Sequence, residues 1–386
     1  MRITSIRTLA VRAPLRIAAK WSGGTRLTAP GVLVFVDTDE GLTGVGECVG
    51  PTLPPIQAIV EKEVTPLLIG CDPARLEWLR HRFYTFAANW KPMARHAWAG
   101  VEMALFDLLG KAFNLPAVQL LGGVCQSEVD FIGYVFIDTP EQNAQLAADY
   151  VRQGFRTLKV KVGRNIGQDV ERLRAIREAV GEGVKIRIDS NMAWSVKTAI
   201  EAIRKMEGFA LQYVEQPVPD WDLEGMAEVR RAVGVPIAAD EACTDFRSAL
   251  ELVKRRACDV FVVYLSEAGG FGEAKKIVAL AQEEGIACVL GTWAELGVGT
   301  LAAVHFIASC HPFLFANDTH YPLQQDDVLD KMLQFQDGKL RVPQASGLGA
   351  DLSMAKVQSL SQVQLREAVF FDPDNPDFLP PIGEFL

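Results

Sequence analysis

The distribution of hydrophobic and polar residues changes character near residue 125. Before that point, residues 2–12, 31–41 and 42–47 alternate as β-strands do, with Asp39-Glu40-Gly41 marking a turn between two apolar runs. Residues 55–122 instead carry apolar positions at helical spacing, most clearly in "HAWAGVEMALFDLLGKAFNLP", which ends in a proline. Residues 1–125 are therefore predicted to form an α+β unit built on a small antiparallel sheet.

After "LLGGV", short β-rich runs alternate with amphipathic helical segments. The runs are "FIGYV", "TLKVKVG", "KIRIDS", "LQYVEQ", "IAADE", "VFVVY", "ACVLGT" and "LFAND", and their ends follow one another at intervals of 24 to 28 residues. One strand and one helix fit each interval, so residues 126–342 are predicted to form an α/β fold of the (β/α)8 type, a TIM-like barrel. The segment 343–386 has little periodicity, and we expect it to return to the N-terminal unit.

Composition excludes several classes of function. The net charge of −9 without a basic run argues against nucleic-acid binding, and no apolar run reaches the roughly 20 residues that a membrane span requires. The N-terminus lacks the apolar core of a signal peptide, and the seven cysteines are scattered without paired spacing. We therefore expect a soluble cytoplasmic protein with reduced thiols, no nucleic-acid or membrane partner, and assembly as a homo-oligomer.

Three acidic residues end consecutive predicted barrel strands, namely Asp189, Glu215 and Asp240. Polar residues at the C-terminal ends of barrel strands face the active site, and three close carboxylates are unfavourable unless a cation neutralises them. Oxygen-only donors favour Mg²⁺, with Ca²⁺ or Mn²⁺ as alternatives. Asn191 is positioned to orient a ligand or a water molecule. Glu241 is expected to contact the metal ligands and not to bind the metal itself. The competing interpretation is three unrelated surface acids.

Two lysines share one face of the preceding strand, "TLKVKVG". Residues two apart on a strand point the same way, so Lys159 and Lys161 should both lie beside the metal site. Each positive charge lowers the pKa of the other lysine, which would leave one amine neutral. A neutral amine beside Mg²⁺ is a suitable base for a proton alpha to a carboxylate if the metal takes up the charge on the enediolate oxygens. The alternative is an exposed edge strand that happens to carry lysines.

The full set of motifs resembles the muconate-lactonizing branch of the enolase superfamily over nearly the whole chain. The resemblance rests on Lys-Val-Lys, "IDSN", "VEQP", "ADEA", "GTWAELGVGT" and "ALFDLLGKAFNLPAVQLLGG". It implies that the three strand-end carboxylates bind Mg²⁺, that Lys161 is the general acid/base, and that Lys159 tunes it and touches the substrate carboxylate. It also implies that Glu295 hydrogen-bonds that carboxylate.

The same resemblance implies that residues 1–125 form a capping domain whose loops close over the substrate and set specificity. These loops are "KWSGGTR", which contains Trp21 and Arg26, and "ECVGPTLPP". The alternative is that Trp21 and Arg26 are surface residues of a loop without a part in substrate binding.

One position departs from the family pattern. The branch has a second lysine at the end of the sixth strand, before a Gly-Gly pair, and Tyr264 stands there in this chain. The seventh strand ends in Thr292 and Trp293, not in the histidine of the mandelate-racemase branch. Tyr264 could be an acid, a hydrogen-bond donor or a wall, and His320 or Tyr321 could protonate a leaving group.

Three functions are possible, and the absence of the sixth-strand lysine decides their order. In each of them the substrate or ligand is a small carboxylate, such as a sugar acid, an amino-acid derivative or a lactone-forming acid. A one-base dehydratase, lyase or cycloisomerase needs proton transfer on one face only and is the leading prediction. A racemase or epimerase would need Lys161 and Tyr264 on opposite faces. A non-catalytic carboxylate-binding protein would not require the lysines or the full set of acids.

Overall fold

The computed structural model describes residues 1–87, 90–311, 313–363 and 368–369. Its first part is an antiparallel sheet of β1 (Ile3–Trp21), β2 (Gly24–Thr38) and β3 (Thr43–Cys48), in which β2 pairs with both other strands and with the short β13 (Ala368–Val369). The predicted turn lies between β2 and β3, where Gly41 has φ +77° and donates to Thr38 O at 3.2 Å. The predicted three-stranded meander is thus confirmed.

The hairpin between β1 and β2 is longer than predicted. Its strands continue past residue 12 and resume before residue 31, so "KWSGGTR" forms the tip of the hairpin, with Trp21 opposite Gly24. The register of the two strands shifts between Pro14 and Ala19. This shift interrupts the alternation of apolar and polar residues, so the alternation did not predict the outer half of the hairpin.

The helices of the first part pack on this sheet and on one another. They are α1 (Leu53–Ile59), continued by a wider turn over Val60–Val64 into α2 (Thr65–Leu68), then α3 (Leu76–Phe86), α4 (Lys91–Phe113) and α5 (Ala117–Leu120). Helix α4 is buried from His96 to Gly110, and Gly44 and Gly46 of β3 let it approach closely: a Cβ on Gly46 would lie 2.0 Å from Gly100 O. The long helix ends at Asn114, in the left-handed conformation, before Pro116.

The second part is a parallel sheet of seven strands in the order β11-β10-β9-β8-β7-β6-β5. The strands are β5 (Gly133–Val135), β6 (Thr157–Lys161), β7 (Lys185–Asp189), β8 (Leu211–Glu215), β9 (Ile237–Ala239), β10 (Val260–Val263) and β11 (Ala287–Leu290). The helices between and after them are α6 (Pro140–Arg152), α7 (Ile166–Val180), α8 (Val196–Met206), α9 (Leu223–Ala232), α10 (Phe246–Arg255), α11 (Leu265–Ala268), α12 (Phe271–Glu284) and α13 (Gly297–Ala308). Two further short strands, β4 (Glu128–Asp130) and β12 (Lys339–Arg341), form a separate antiparallel pair.

The eighth predicted run, "LFAND", closes the barrel without forming a regular strand. Asn317 makes an isolated bridge to Phe131 and accepts a hydrogen bond from Ile132 N at 3.0 Å. On the other side, Asp318 N donates to Leu290 O at 2.9 Å, while the Asn317 side chain accepts from Leu290 N at 2.9 Å. Because a side chain replaces a backbone partner, the ladder is interrupted, and the prediction of a regular eighth strand was wrong. The fold is nevertheless a TIM-like barrel with a capping domain.

Residues after 342 contact the capping domain in the part that the structure describes. Leu348 N donates to the Asp107 carboxylate at 2.8 Å, and Gly347 exchanges hydrogen bonds with Leu115 and Ala117. Helix α14 (Met354–Ser361) lies beside β1. The exact domain boundaries at 125 and 342 remain predictions, and most of residues 364–386 lie outside the described residues.

Two buried carboxylates of the capping domain bind the N-termini of barrel helices. Glu47 accepts from Leu296 N at 2.8 Å and Gly299 N at 2.7 Å at the start of α13, and Glu102 accepts from Gly272 N at 3.2 Å at the start of α12. A helix N-terminus carries unpaired N–H groups and partial positive charge, so each carboxylate caps a helix of the other domain. These contacts fix the capping domain against the mouth of the barrel.

Candidate active site

The three predicted metal ligands converge. Asp189 and Glu215 end β7 and β8, Asp240 follows β9, and each offers a carboxylate oxygen within 4.8 Å of the others. All three side chains are buried, and Asp189 pairs directly with Glu215 across the parallel ladder. The sequence prediction that these carboxylates meet is therefore confirmed geometrically, and their metal-binding role is taken up below.

The electrostatics of this cluster favour a cation. Burial, with the neighbouring carboxylates, raises the pKa of Glu215 and of Asp240 well above the usual range. Burial would also raise the pKa of Asp189, but the ammonium groups of Lys161 and Lys159 outweigh it and lower that pKa. Three buried carboxylate oxygens, without nitrogen or sulfur donors in the group, fit a hard divalent ion.

Lys159 lies below the cavity among carboxylates. Its Nζ donates to Glu215 Oε1 and to Asp318 Oδ2 at 2.6 Å, and lies 3.2 Å from Asp189 Oδ2. Burial alone would lower the pKa of Lys159, but these carboxylates raise it well above its ordinary value. The expectation that the two lysines depress each other's pKa is therefore wrong for Lys159, because the three anions around it outweigh one neighbouring ammonium.

Lys161 occupies the more open position. Its Nζ donates to Asp189 Oδ2 at 2.5 Å and to Asn191 Oδ1 at 2.8 Å, and its side chain lines the cavity at the barrel mouth. Asn191 in turn donates to Glu241 Oε1 at 3.0 Å, so Asn191 links Lys161 to Glu241. Asn191 lies in the turn directly after β7, and its φ of 46° is in the left-handed region, which asparagine tolerates better than most residues.

Tyr264 lies on the opposite side of the barrel from Lys161. Lys161 ends β6, and Tyr264 directly follows β10. Three strands separate β6 from β10 in the sheet order. The Tyr264 hydroxyl donates to Asp240 Oδ2 at 3.4 Å. Burial, followed by the nearby Asp240 carboxylate, raises the pKa of Tyr264 well above its ordinary value. The phenol therefore stays protonated near neutral pH.

A cavity of about 460 Å³ lies between the barrel mouth and the hairpin tip of the capping domain. The predicted residues that line it are Trp21, Arg26, Lys161, Asn191, Asp240, Glu241 and Tyr264. The loop "ECVGPTLPP" contributes no lining residue in the described part of the chain. Of the two predicted capping-domain loops, the first therefore lines the cavity. That it closes over a substrate and sets specificity stays a prediction.

One wall of this cavity is aromatic. The His320 ring stacks on Tyr134 with centroids 4.3 Å apart, and Tyr134 stacks on Phe136 at 5.3 Å. Burial, followed by the cationic side chain of Arg26, lowers the pKa of His320 well below its usual value. His320 is thus a neutral ring at neutral pH, which does not suit it as a leaving-group acid. Tyr321 donates to Asp327 at 2.5 Å and is not among the cavity-lining residues in the described part of the chain.

Glu295 is held by its own loop. Its carboxylate accepts hydrogen bonds from the Thr292 hydroxyl and from Trp293 N at 3.1 Å, and it borders a separate small space beside Gly299. Burial raises the pKa of Glu295 above its ordinary value. Its predicted contact with a substrate carboxylate stays a prediction, because the structure does not place it among the residues lining the main cavity.

Sequence reasoning missed two acidic residues of the site. Asp318 ends the eighth run and binds Lys159, with Arg187 3.6 Å from its other oxygen. Glu267 lines the cavity from α11, where it accepts a hydrogen bond from Trp293 Nε1 at 2.8 Å. Asp318 could have been found from its place at the end of the eighth predicted run, whereas Glu267 lies four residues beyond the end of β10.

Family models match both parts of the chain. Residues 3–122 match the "Mandelate racemase / muconate lactonizing enzyme, N-terminal domain", and residues 142–356 match the "Enolase C-terminal domain-like" family. No helix in the described part of the chain is long and apolar enough to cross a membrane.

Similar proteins carry several different activities. The chain is 36% identical over 361 residues to an L-Ala-D/L-Glu epimerase of Bacillus subtilis, covering 90% of this chain and 96% of the relative. It is 30% identical over 370 residues to muconate cycloisomerase 1 of Rhodococcus opacus, covering 93% and 98%.

Among solved structures, the N-succinyl Arg/Lys racemase of Bacillus cereus superposes with a TM-score of 0.89 at 29% identity, covering 96% of this chain and all of that one. A dipeptide epimerase of Enterococcus faecalis, in complex with Mg and the dipeptide L-Leu-L-Tyr, gives 0.83 at 33% identity, covering 91% of this chain and all of that one. These relatives are enzymes that act on small carboxylates, and both halves of the chain match the corresponding family models. The chain therefore belongs to the mandelate racemase/muconate lactonizing enzyme family of the enolase superfamily and is an enzyme of the lyase or isomerase type.

Proposed function

We propose that this enzyme depends on Mg²⁺ and removes the alpha proton of a small carboxylate, with Lys161 as the base. Asp189, Glu215 and Asp240 would hold the ion. When bound, the cation supplies positive charge beside the substrate carboxylate and so stabilises the negative charge that builds up as the proton leaves.

The two lysines divide the work in this proposal. Lys159 is buried and charged among Glu215, Asp318 and Asp189, so it balances the anionic cluster and does not exchange protons with a substrate. Lys161 reaches the cavity and has only one carboxylate, Asp189, within ion-pair distance among the described residues. Lys161 is therefore the better candidate for accepting the proton, with Asn191 holding its amine in place.

The reaction that we propose is an elimination or cycloisomerisation with one base. Tyr264 is the observation that carries this choice, because it occupies the position across the barrel from Lys161 and its pKa is raised far above neutrality by burial. A protonated phenol can donate a hydrogen bond but cannot accept a proton near pH 7. Proton removal is then confined to the face of the substrate that Lys161 reaches.

Epimerisation or racemisation is the second candidate. It is favoured by the relatives, since the L-Ala-D/L-Glu epimerase and the N-succinyl Arg/Lys racemase cover nearly the whole chain. Lys161 and Tyr264 would then act on opposite faces, with Tyr264 as the proton donor. The non-catalytic alternative has no support, because the similar proteins are enzymes.

The stereochemistry of exchange distinguishes the two candidates. Each enantiomer of a panel of small carboxylates, including sugar acids, N-acylated amino acids and dipeptides, would be incubated with the enzyme and Mg²⁺ in deuterated water and followed by proton NMR. We expect loss of the alpha-proton signal with retention of configuration for an accepted substrate. Interconversion of enantiomers that is lost in Tyr264→Phe would establish the epimerase instead, and no exchange with any member of the panel would count against the proposal as a whole.

A further inference from the structure

Glu267 lies in the active-site cavity on the side facing Lys161. It belongs to α11, directly after β10, while Lys161 ends β6, and three strands separate β10 from β6 in the sheet order. Counting the other way around the closed barrel, β11, the eighth run "LFAND" and β5 lie between them. A substrate in the cavity would therefore have Lys161 on one side and Glu267 on the other.

Only one oxygen of the Glu267 carboxylate has a hydrogen-bond partner among the described residues. Oε1 accepts a hydrogen bond from Trp293 Nε1 at 2.8 Å, which fixes the orientation of Glu267. Oε2 is buried and has no hydrogen-bond partner among the residues that the structure describes. A buried polar oxygen without a partner costs free energy, and because Glu267 lines the cavity, we expect a substrate group to complete its hydrogen bonding.

The environment of Glu267 also suits a proton donor. Burial raises its pKa to about 7, the Trp293 hydrogen bond and Arg95 on α4 act in the opposite direction, and Glu295 adds to the rise. Asp240 and the Tyr264 phenol also face it, and Glu267 in turn raises the pKa of both. A substantial fraction of Glu267 is thus protonated at neutral pH.

The other acids of the cavity suit this task less well. Tyr264 holds its proton too tightly and His320 is neutral, as described above. Glu241 is linked through Asn191 to Lys161 and therefore lies on the side of the base.

We propose that Glu267 is the general acid that protonates the leaving group on the β-carbon, and that the substrate is a β-hydroxy carboxylate. This inference rests on the proposed function of Lys161. The Lys161 amine takes the alpha proton, and the electron pair of that C–H bond becomes the double bond between the α- and β-carbons. The bond from the β-carbon to the hydroxyl oxygen breaks, the Glu267 carboxyl gives its proton to that oxygen, and water leaves. Because the base and the acid stand on opposite sides, the elimination is anti.

The experiment compares two leaving groups in two variants. Wild type, Glu267→Gln and a control, Glu284→Gln, which changes an exposed residue of α12, would be given 3-hydroxy carboxylates of three to six carbons and their 3-chloro counterparts with Mg²⁺. Alpha-proton exchange in deuterated water and release of the unsaturated product would be measured separately. Hydroxide needs a proton to leave, whereas chloride, a very weak base, does not.

We expect Glu267→Gln to lose dehydration by about a hundredfold or more, the usual scale of general acid catalysis, while it keeps alpha-proton exchange and chloride elimination near the wild-type rates. Glu284→Gln should match wild type throughout. Dehydration retained within about tenfold of wild type would overturn the role of Glu267, and so would a parallel loss of exchange and chloride elimination, which would mark a structural defect. Wild-type enzyme that exchanges alpha protons but dehydrates no 3-hydroxy acid would also overturn this inference while leaving the role of Lys161 intact.

Discussion

Replacing Glu47 with alanine should loosen the capping domain from the barrel. The Glu47 carboxylate is 1% exposed and accepts hydrogen bonds from Leu296 N and Gly299 N at the start of α13. Its removal leaves two buried N–H groups without a partner, at roughly 1–3 kcal/mol each. At pH 5 the buried Glu47 side chain is protonated, so its removal relieves no desolvated charge. We expect a net loss of about 3 kcal/mol in the free energy of unfolding at pH 5.

This loss should depend on pH. Burial raises the pKa of Glu47 to about 8 from its ordinary value of 4.5, so the folded state binds this proton more tightly than the unfolded state does. The stabilising effect is therefore complete below pH 4.5 and is lost as the pH rises through 8. The difference between wild type and Glu47→Ala should shrink from pH 5 to pH 9.

Urea unfolding at several pH values measures this difference, with Glu284→Ala, at an exposed position of α12, as the control. Hydrogen exchange at the amides of Leu296 and Gly299 provides a local measurement and should accelerate in Glu47→Ala only. A destabilisation below about 0.5 kcal/mol, the range of ordinary surface substitutions, or one that grows with pH, would refute the assigned role of Glu47.

Three further predictions concern the site itself. Chelation of divalent ions should abolish turnover and added Mg²⁺ should restore it, because three buried carboxylates converge there; full activity of a metal-free preparation would contradict this. Lys159→Met should lower the melting temperature and weaken substrate binding, since it leaves Glu215 and Asp318 without their buried cation; an unchanged melting temperature would show that the charges are balanced otherwise. Tyr264→Phe should reduce turnover only modestly and leave alpha-proton exchange largely intact, which NMR in deuterated water can test; loss of exchange would make the phenol essential.

Sequence periodicity was sufficient to predict that the three carboxylates converge, because parallel strands impose a simple geometry. Residues at the C-terminal ends of adjacent strands must lie side by side, so strand ends at Asp189 and Glu215 had to meet. The same two-residue periodicity correctly placed Lys159 and Lys161 together, and both lie within ion-pair distance of Asp189.

Other features depend on contacts between residues far apart in the chain, which local patterns do not encode. The charge state of Lys159 is set largely by Asp318, 159 residues away. A prediction based only on the neighbouring lysine therefore gave the wrong direction for the shift in the pKa of Lys159. The irregular eighth strand depends on the Asn317 side chain replacing a backbone partner. Glu267 could not be found from strand ends, because the short helix α11 brings it back over the cavity.

The most direct test of the account is alpha-proton exchange by Lys161→Met, measured beside wild type with saturating Mg²⁺ on the best substrate of the panel. Calorimetric titration of Mg²⁺ into both proteins would establish that the metal site is intact. The account predicts that the variant still binds Mg²⁺ but loses exchange by about a hundredfold or more, because the base acts on the substrate and is not a ligand. Exchange within about tenfold of wild type would contradict it and would require another residue as the base.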